Sequence, residues 1–202
     1  MRAVYDFVIT PKKSRYENTK KVGDKELVLN TEIYNHQFVS REAVVTAIPM
    51  AHPSSNIKVG DTIITHHNVF RRWLDVRGIE RNSRSYFDED TYLIKLDQIF
   101  LYRTEDEDWK APNGYCFVKP IVDTDMFAIE TEKPLMGVIK YVDKDLSKIG
   151  INTGDVIGFT PHSEYEFKVN GERLYRVMTE EVPLVYPANT EVEEFVPNWT
   201  DK

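Results

Sequence analysis

The stretch Ile57-Lys58-Val59-Gly60-Asp61-Thr62-Ile63-Ile64 decides how this chain is read. Glycine at position 60 permits positive φ, and the Asp61 side chain can hydrogen-bond nearby backbone, so the stretch reads as a turn feeding a strand. It returns as Ile151-Asn152-Thr153-Gly154-Asp155-Val156-Ile157. A Gly-Asp pair alone carries no weight, but here its neighbours return in the same order. Residues 4–10, rich in β-branched and aromatic types and stopped by Pro11, are echoed by residues 114–118 leading to Pro120. The strand within 42–48 returns at 137–142. The pattern of 93–102 returns at 174–186, with Asp97-Gln98-Ile99 matched by Glu180-Glu181-Val182.

The spacing of these echoes locates a difference between the copies. Gly154 follows Gly60 by 94 residues, and Gly137 follows Ala43 by 94, whereas Pro120 follows Pro11 by 109. The first copy therefore holds 15 additional residues between its first and second strands. They fall in segment 12–40, which is mostly polar, has one glycine, and contains Glu26-Leu27-Val28-Leu29-Asn30. Three consecutive apolar residues fit neither the alternation of a strand nor the repeat of a helix face. Leu27, Val28 and Leu29 read either as a short strand or core-anchored loop, or as a docking tripeptide on a mobile loop. A core strand is expected in both copies and an appendage in only one, so the asymmetry favours docking.

Bulk properties bound the rest. In 202 residues, 26 basic side chains face 33 acidic ones, a net charge of −7 that argues against a dedicated nucleic-acid protein. The 41% hydrophobic content is enough for packed cores. The single cysteine, Cys116, rules out a disulfide within the chain and a cysteine-based zinc site, and its apolar surroundings make it a small core residue. These features suggest a reducing, cytoplasmic setting. The first residues lack the apolar core of a signal peptide, and nothing approaches the roughly 20 apolar residues of a membrane span. The acidic run 105–108 and Pro112-Asn113-Gly114 make 104–113 a linker. The expected organisation is all-β: a domain at 1–103, a second at 114–186, and a tail at 187–202 that is either a loose end or an arm packed on a neighbour.

Order and spacing together resemble the GroES-type co-chaperonin family, here as a tandem, divergent member. Its subunits open with a short strand and a mobile loop bearing an Ile-Val-Leu-like tripeptide. A Gly-Glu-Val-like strand, a Val-x-x-Gly-Asp turn and an acidic-acidic-hydrophobic closing strand follow. Residues 4–10, Leu27-Val28-Leu29, Arg41-Glu42-Ala43-Val44-Val45, Ile57-Lys58-Val59-Gly60-Asp61 and Asp97-Gln98-Ile99 supply these features in the first copy. The match covers about residues 1–186. The resemblance implies two small β-barrel domains, with the mobile loop only in the first. It further implies a homo-oligomeric lid, heptameric in the usual member, that caps an ATP-bound GroEL-type chaperonin ring and closes a chamber around unfolded protein. Leu27, Val28 and Leu29 would be the chaperonin-binding residues. No cofactor or catalytic residue is implied in this chain, since the partner binds the ATP. Burying three aliphatic side chains offers roughly 1.5–3 kcal/mol each. Ordering a loop takes back roughly 2–5 kcal/mol, and a ring of loops regains about 10²–10⁴ by avidity. A structural ring or shell protein, viral or otherwise, built from the same domains without chaperonin binding is the alternative.

Other signals are weaker. Arg71, Arg72, Arg77, Arg81 and Arg84 lie among Phe70, Trp73, Tyr86 and Phe87. That mixture can bind single-stranded nucleic acid by phosphate contact and stacking. The competing expectation pairs these arginines with Asp75, Glu80, Asp88 and Glu89, or with a neighbouring subunit. His52, His66 and His67 suggest a metal, but adjacent histidines in a strand point to opposite faces. The related fold in zinc alcohol dehydrogenases is disfavoured by the lack of a G-x-G-x-x-G fingerprint and of cysteine ligands.

Overall fold

A computed structural model describes residues 2–13, 15, 19–22, 25–28, 41–51, 56–124, 130–187 and 190–195, with backbone alone at 19–22, 25–28, 124 and 130. The chain divides into two compact units, Met1–Trp109 and Lys110–Lys202. Both are mostly β. The first holds β1 (Phe7–Pro11), β2 (Thr19–Val22), β3 (Lys25–Val28), β4 (Glu42–Ala47), β5 (Thr62–Thr65), β6 (Arg72–Leu74), β7 (Glu80–Asn82), β8 (Tyr92–Ile94) and β9 (Ile99–Arg103). The second holds β10 (Tyr115–Thr124), β11 (Glu130–Tyr141), the short helix α1 (Lys144–Lys148), β12 (Val156–Gly158), β13 (Tyr165–Val169), β14 (Glu172–Met178) and β15 (Leu184–Val185). No helix among the described residues is long and apolar enough to cross a membrane.

The two main sheets repeat one another. The first runs β8-β1-β4-β5-β9 and the second β14-β10-β11-β12-β15, with β13 added outside β14. The registers agree residue by residue. Val8 faces Ala47 and Ile9 faces Val45, with a bulge between them. Phe117 faces Tyr141 and Val118 faces Ile139, with a bulge at the same place. Pro11 opposes Ala43 as Pro120 opposes Gly137. The Gly-Asp turns coincide too. Gly60 takes φ +94° and Gly154 φ +96°. In one, the Asp61 carboxylate accepts from the Lys58 amide at 2.8 Å; in the other, Asp155 accepts from Asn152 at 2.8 Å. Gly60 N–H donates to the Val45 carbonyl and Gly154 N–H to that of Ile139, each at 2.8 Å.

The expectation of barrels is corrected: neither sheet closes. No ladder joins β8 to β9, or β14 to β15, among the described residues. β8 and β9, the edges of the first sheet, are nevertheless consecutive in the chain, as are β14 and β15, and each pair is joined through a one-turn 3-10 helix, Leu96–Gln98 and Thr179–Glu181. In a flat five-stranded sheet the outer strands would stand about 19 Å apart. The step from Ile94 to Ile99 reaches at most about 17 Å even if fully extended, and its 3-10 turn shortens it. The sheet therefore curls strongly.

Curling gives each unit an inside. Alternate residues of the first sheet (Phe7 and Ile9, Ala43 and Val45, Tyr92 and Ile94) join Ile57, Ile63 and Phe70 in one core. The second core uses Cys116, Val118, Ile139, Ile151, Ile157, Tyr175 and Val177 at matching positions, and adds Leu146 from α1 and Phe159. Identity is not conserved across the repeat: Cys116 stands where the first core has Phe7, and Ile139 where it has Val45. Asp143 starts α1: it is buried, and its carboxylate accepts from the Leu146 amide and from the Gly114 amide, both at 2.9 Å.

Candidate functional site

The units part company between their first two strands. In the first unit the chain leaves β1 at Pro11 and re-enters the sheet at β4. Within this stretch β2 and β3 form a two-stranded antiparallel sheet of their own: Thr19 opposes Val28, Lys20 opposes Leu27, and Val22 opposes Lys25. Leu27 and Val28 thus belong to a strand, whereas the sequence favoured a loop there. Leu29 lies outside the described residues. Gly23-Asp24, between the two strands in sequence, are residue types that two-residue hairpin loops favour. That signal was available in the sequence, but the apolar run beside it breaks the alternation by which a strand is read.

At the root of this excursion Arg15 is gripped. Its guanidinium donates to the Asn82 side-chain oxygen at 2.8 Å and the Phe70 carbonyl at 3.4 Å. It also lies over the rings of Tyr86 and Tyr92, at 5.1 and 5.5 Å from their centroids. Nothing local in the sequence hints at this role, because these partners lie 55 to 77 positions away.

In the second unit the equivalent excursion is the outward continuation of the sheet. Past a register shift, Val122 opposes Glu132, Asp123 opposes Thr131, and Thr124 opposes Glu130. Leu135 takes φ +59° where this arm leaves the sheet. The arm is tied down twice. Arg173 reaches Glu132 at 2.9 Å. The tail returns along β10, with the Val122 amide donating to the Glu193 carbonyl and the Phe195 amide to the Pro120 carbonyl. The tail through Phe195 is therefore a strap on its own unit, neither of the two expected alternatives. β14 pairs β10 only as far as Val118, and the tail satisfies backbone groups beyond that point.

The arginine cluster divides in two. Arg72 pairs with Glu80 at 2.9 Å and Arg81 with Asp75 at 3.0 Å, both within the β6–β7 hairpin. Arg77 is exposed at its tip. Arg71 and Arg84 line a cleft of about 690 Å³ with Trp73, Asn68 and Gln98. His66 and His67 lie just past β5, and their rings stack at 4.3 Å instead of pointing to opposite faces. The His66 Nδ1 accepts from the Asn68 amide. No group of three or more His, Cys, Asp or Glu among the described residues is placed to hold a metal, and His52 lies outside them. Cys116 is fully buried, and burial pushes its thiol up to about 12, so it is inert at neutral pH. No protein-family model and no curated protein matches the chain.

Proposed function

We propose that this chain is a co-chaperonin lid of the GroES type. One observation carries the reading. Two units with the same strand order and the same ladder registers differ by a 15-residue surplus at a single junction, and that surplus segment holds Leu27-Val28-Leu29. An insertion tolerated at one junction of a repeated fold is where added function is borne. The tripeptide docks in an apolar groove of a GroEL-type chaperonin whose ring has bound ATP, and several subunits, seven by resemblance, act together around unfolded protein in the cytoplasm. A hairpin that holds Leu27 and Val28 in extended backbone lowers the ordering cost of docking as an added strand.

The alternative is a structural ring or shell protein. It draws on the apolar side chains left exposed around the first residues, Val4, Tyr5, Phe87 and Met50, a surface suited to subunit contact without a chaperonin.

The test is co-elution with a bacterial chaperonin, with and without ATP, for the native chain and Val28→Asp. Nucleotide-dependent binding that the substitution abolishes supports the lid. Rings that form but ignore the chaperonin refute it in favour of the structural reading.

A further inference from the structure

The arginines that find no acid are the remaining unexplained feature of the first unit. Arg72 and Arg81 are neutralised within the β6–β7 hairpin. Arg71 and Arg84 make no hydrogen bond or ion pair with any described residue, and the Arg71 Nε is buried without a partner. A desolvated guanidinium donor is costly unless something occupies it. Both arginines line the same cleft of about 690 Å³, and no acidic residue is among the described residues that line it. In a chain of net charge −7 this is a local reversal of sign.

The rest of the lining narrows the ligand. Trp73, 39% exposed, lines the cleft along with Leu74. Asn68 is exposed at the rim, with both donors and an acceptor on its side chain. The Gln98 side-chain oxygen is already committed to the Lys95 amide, and its nitrogen is 3.4 Å from the Ser85 hydroxyl, so Gln98 braces the floor. Two forked cations, one stacking surface and one amide match an anionic group attached to a planar, edge-polar ring. The volume lies within the range of small-molecule pockets.

We propose that this cleft binds a nucleoside phosphate, with Arg71 and Arg84 on the phosphate, Trp73 against the base and Asn68 on the base edge. Two sources present that chemistry: a free mononucleotide, or a nucleotide within a single strand. The cleft belongs to the chain whether or not it is a chaperonin lid.

The experiment titrates the full chain with AMP, ADP and ATP, with inorganic phosphate, and with a ten-nucleotide single strand, read by calorimetry and by tryptophan fluorescence. Mononucleotides are expected to bind. Arg84→Ala is expected to weaken binding about tenfold or more, the loss of one charge-assisted contact. Trp73→Ala is expected to weaken it by a similar factor. Arg77→Ala, at the hairpin tip outside the cleft, is expected to leave it unchanged. Arg84 is exposed, so its variant keeps the fold even if Arg71→Ala does not, and a melting curve on each checks this. A strand that binds at least about tenfold tighter than a mononucleotide, with a steep salt dependence, identifies the strand as source; equal affinity identifies the free nucleotide. No binding at millimolar nucleotide overturns the proposal. So does equal affinity for inorganic phosphate, equal weakening by Arg77→Ala, or a polyglutamate peptide that binds as well as the nucleotide.

Discussion

The two excursions arise at the same junction of the same sheet and are handled in opposite ways. In the second unit the ladder runs straight outward from β10 and β11, and an arginine and a C-terminal strap hold the arm to the body. In the first, the hairpin of β2 and β3 pairs with no strand of the main sheet among the described residues, and Arg15 grips only its root. A two-stranded sheet by itself is marginal in water, so the first excursion gains stability once a partner adds to it, whereas the second is already complete. Function is therefore sought in the unit whose excursion is less finished.

The most drastic way to break this comparison is to make the junctions alike. Replacing residues 12–42 by residues 121–136 gives both units the short excursion. Chaperonin binding is expected to vanish, a loss of more than about hundredfold once every subunit lacks its contact. Circular dichroism is expected to retain the β signal, since the described residues of the first core all lie outside the exchanged segment. A chimera that still binds in the presence of ATP would remove the argument for Leu27–Leu29.

Next in size are the cores. Ile63 and Ile157 occupy matching buried positions, one in each unit. Each change to alanine is expected to cost about 2–5 kcal/mol in its own unit. Cys116 reports on the second unit alone, because its thiol is buried and becomes reactive only when that core opens. Ile157→Ala is expected to speed thiol labelling sharply, and Ile63→Ala to leave it slow. Equal acceleration by both would mean that the two cores open as one.

How much of this was legible in the sequence follows from what each feature depends on. The repeat was legible because the Gly-Asp turn is local: a positive-φ glycine and an aspartate that accepts an amide three residues back can be read from adjacent letters. The 94-residue offset then predicts the ladder partners of β4 and β11. Sheet closure was not legible. It depends on the curl of the whole sheet, which no short stretch of sequence determines. The β2–β3 hairpin was half legible, through Gly23-Asp24, but its apolar run hid the strand. The division of the arginines was invisible, because Arg71 and Arg72 are neighbours in sequence and only the fold brings one to the cleft and the other to Glu80.

The turns sharpen the comparison at smaller scale. Gly60→Ala and Gly154→Ala place a Cβ at the same positive φ, with open space around each, so both are expected to cost about 1–2 kcal/mol from backbone strain alone. The adjacent strand position behaves differently. A Cβ on Gly137 would stand 2.7 Å from the Lys119 carbonyl oxygen, whereas its counterpart is already Ala43. Gly137→Ala is expected to lower the second unit's melting temperature, and thermal unfolding of both variants measures it. A neutral Gly137→Ala would mean that β11 shifts to accommodate what β4 already carries.

The smallest effect is at the β6–β7 hairpin, where Asp75 decides how the tip is held. Its carboxylate accepts from the Ile79 amide at 3.0 Å, the Arg77 amide at 2.9 Å and the Arg81 guanidinium at 3.0 Å. These bonds, that from Ile79 foremost, hold its pKa below the usual carboxylate range. Because the folded value is depressed, the contribution is fully present above the ordinary aspartate value of about 3.9, and it is lost as pH falls through the lower folded value. Asp75 is partly exposed, so solvent screens the effect and the readout is local. The Ile79 amide resonance is expected to titrate below about pH 3.9, and Arg81→Ala to move that midpoint upward. A midpoint at or above the ordinary value would mean that the tip is not held by this aspartate. The hairpin that presents Arg71 and Trp73 to the cleft would then owe its shape to β6–β7 pairing alone.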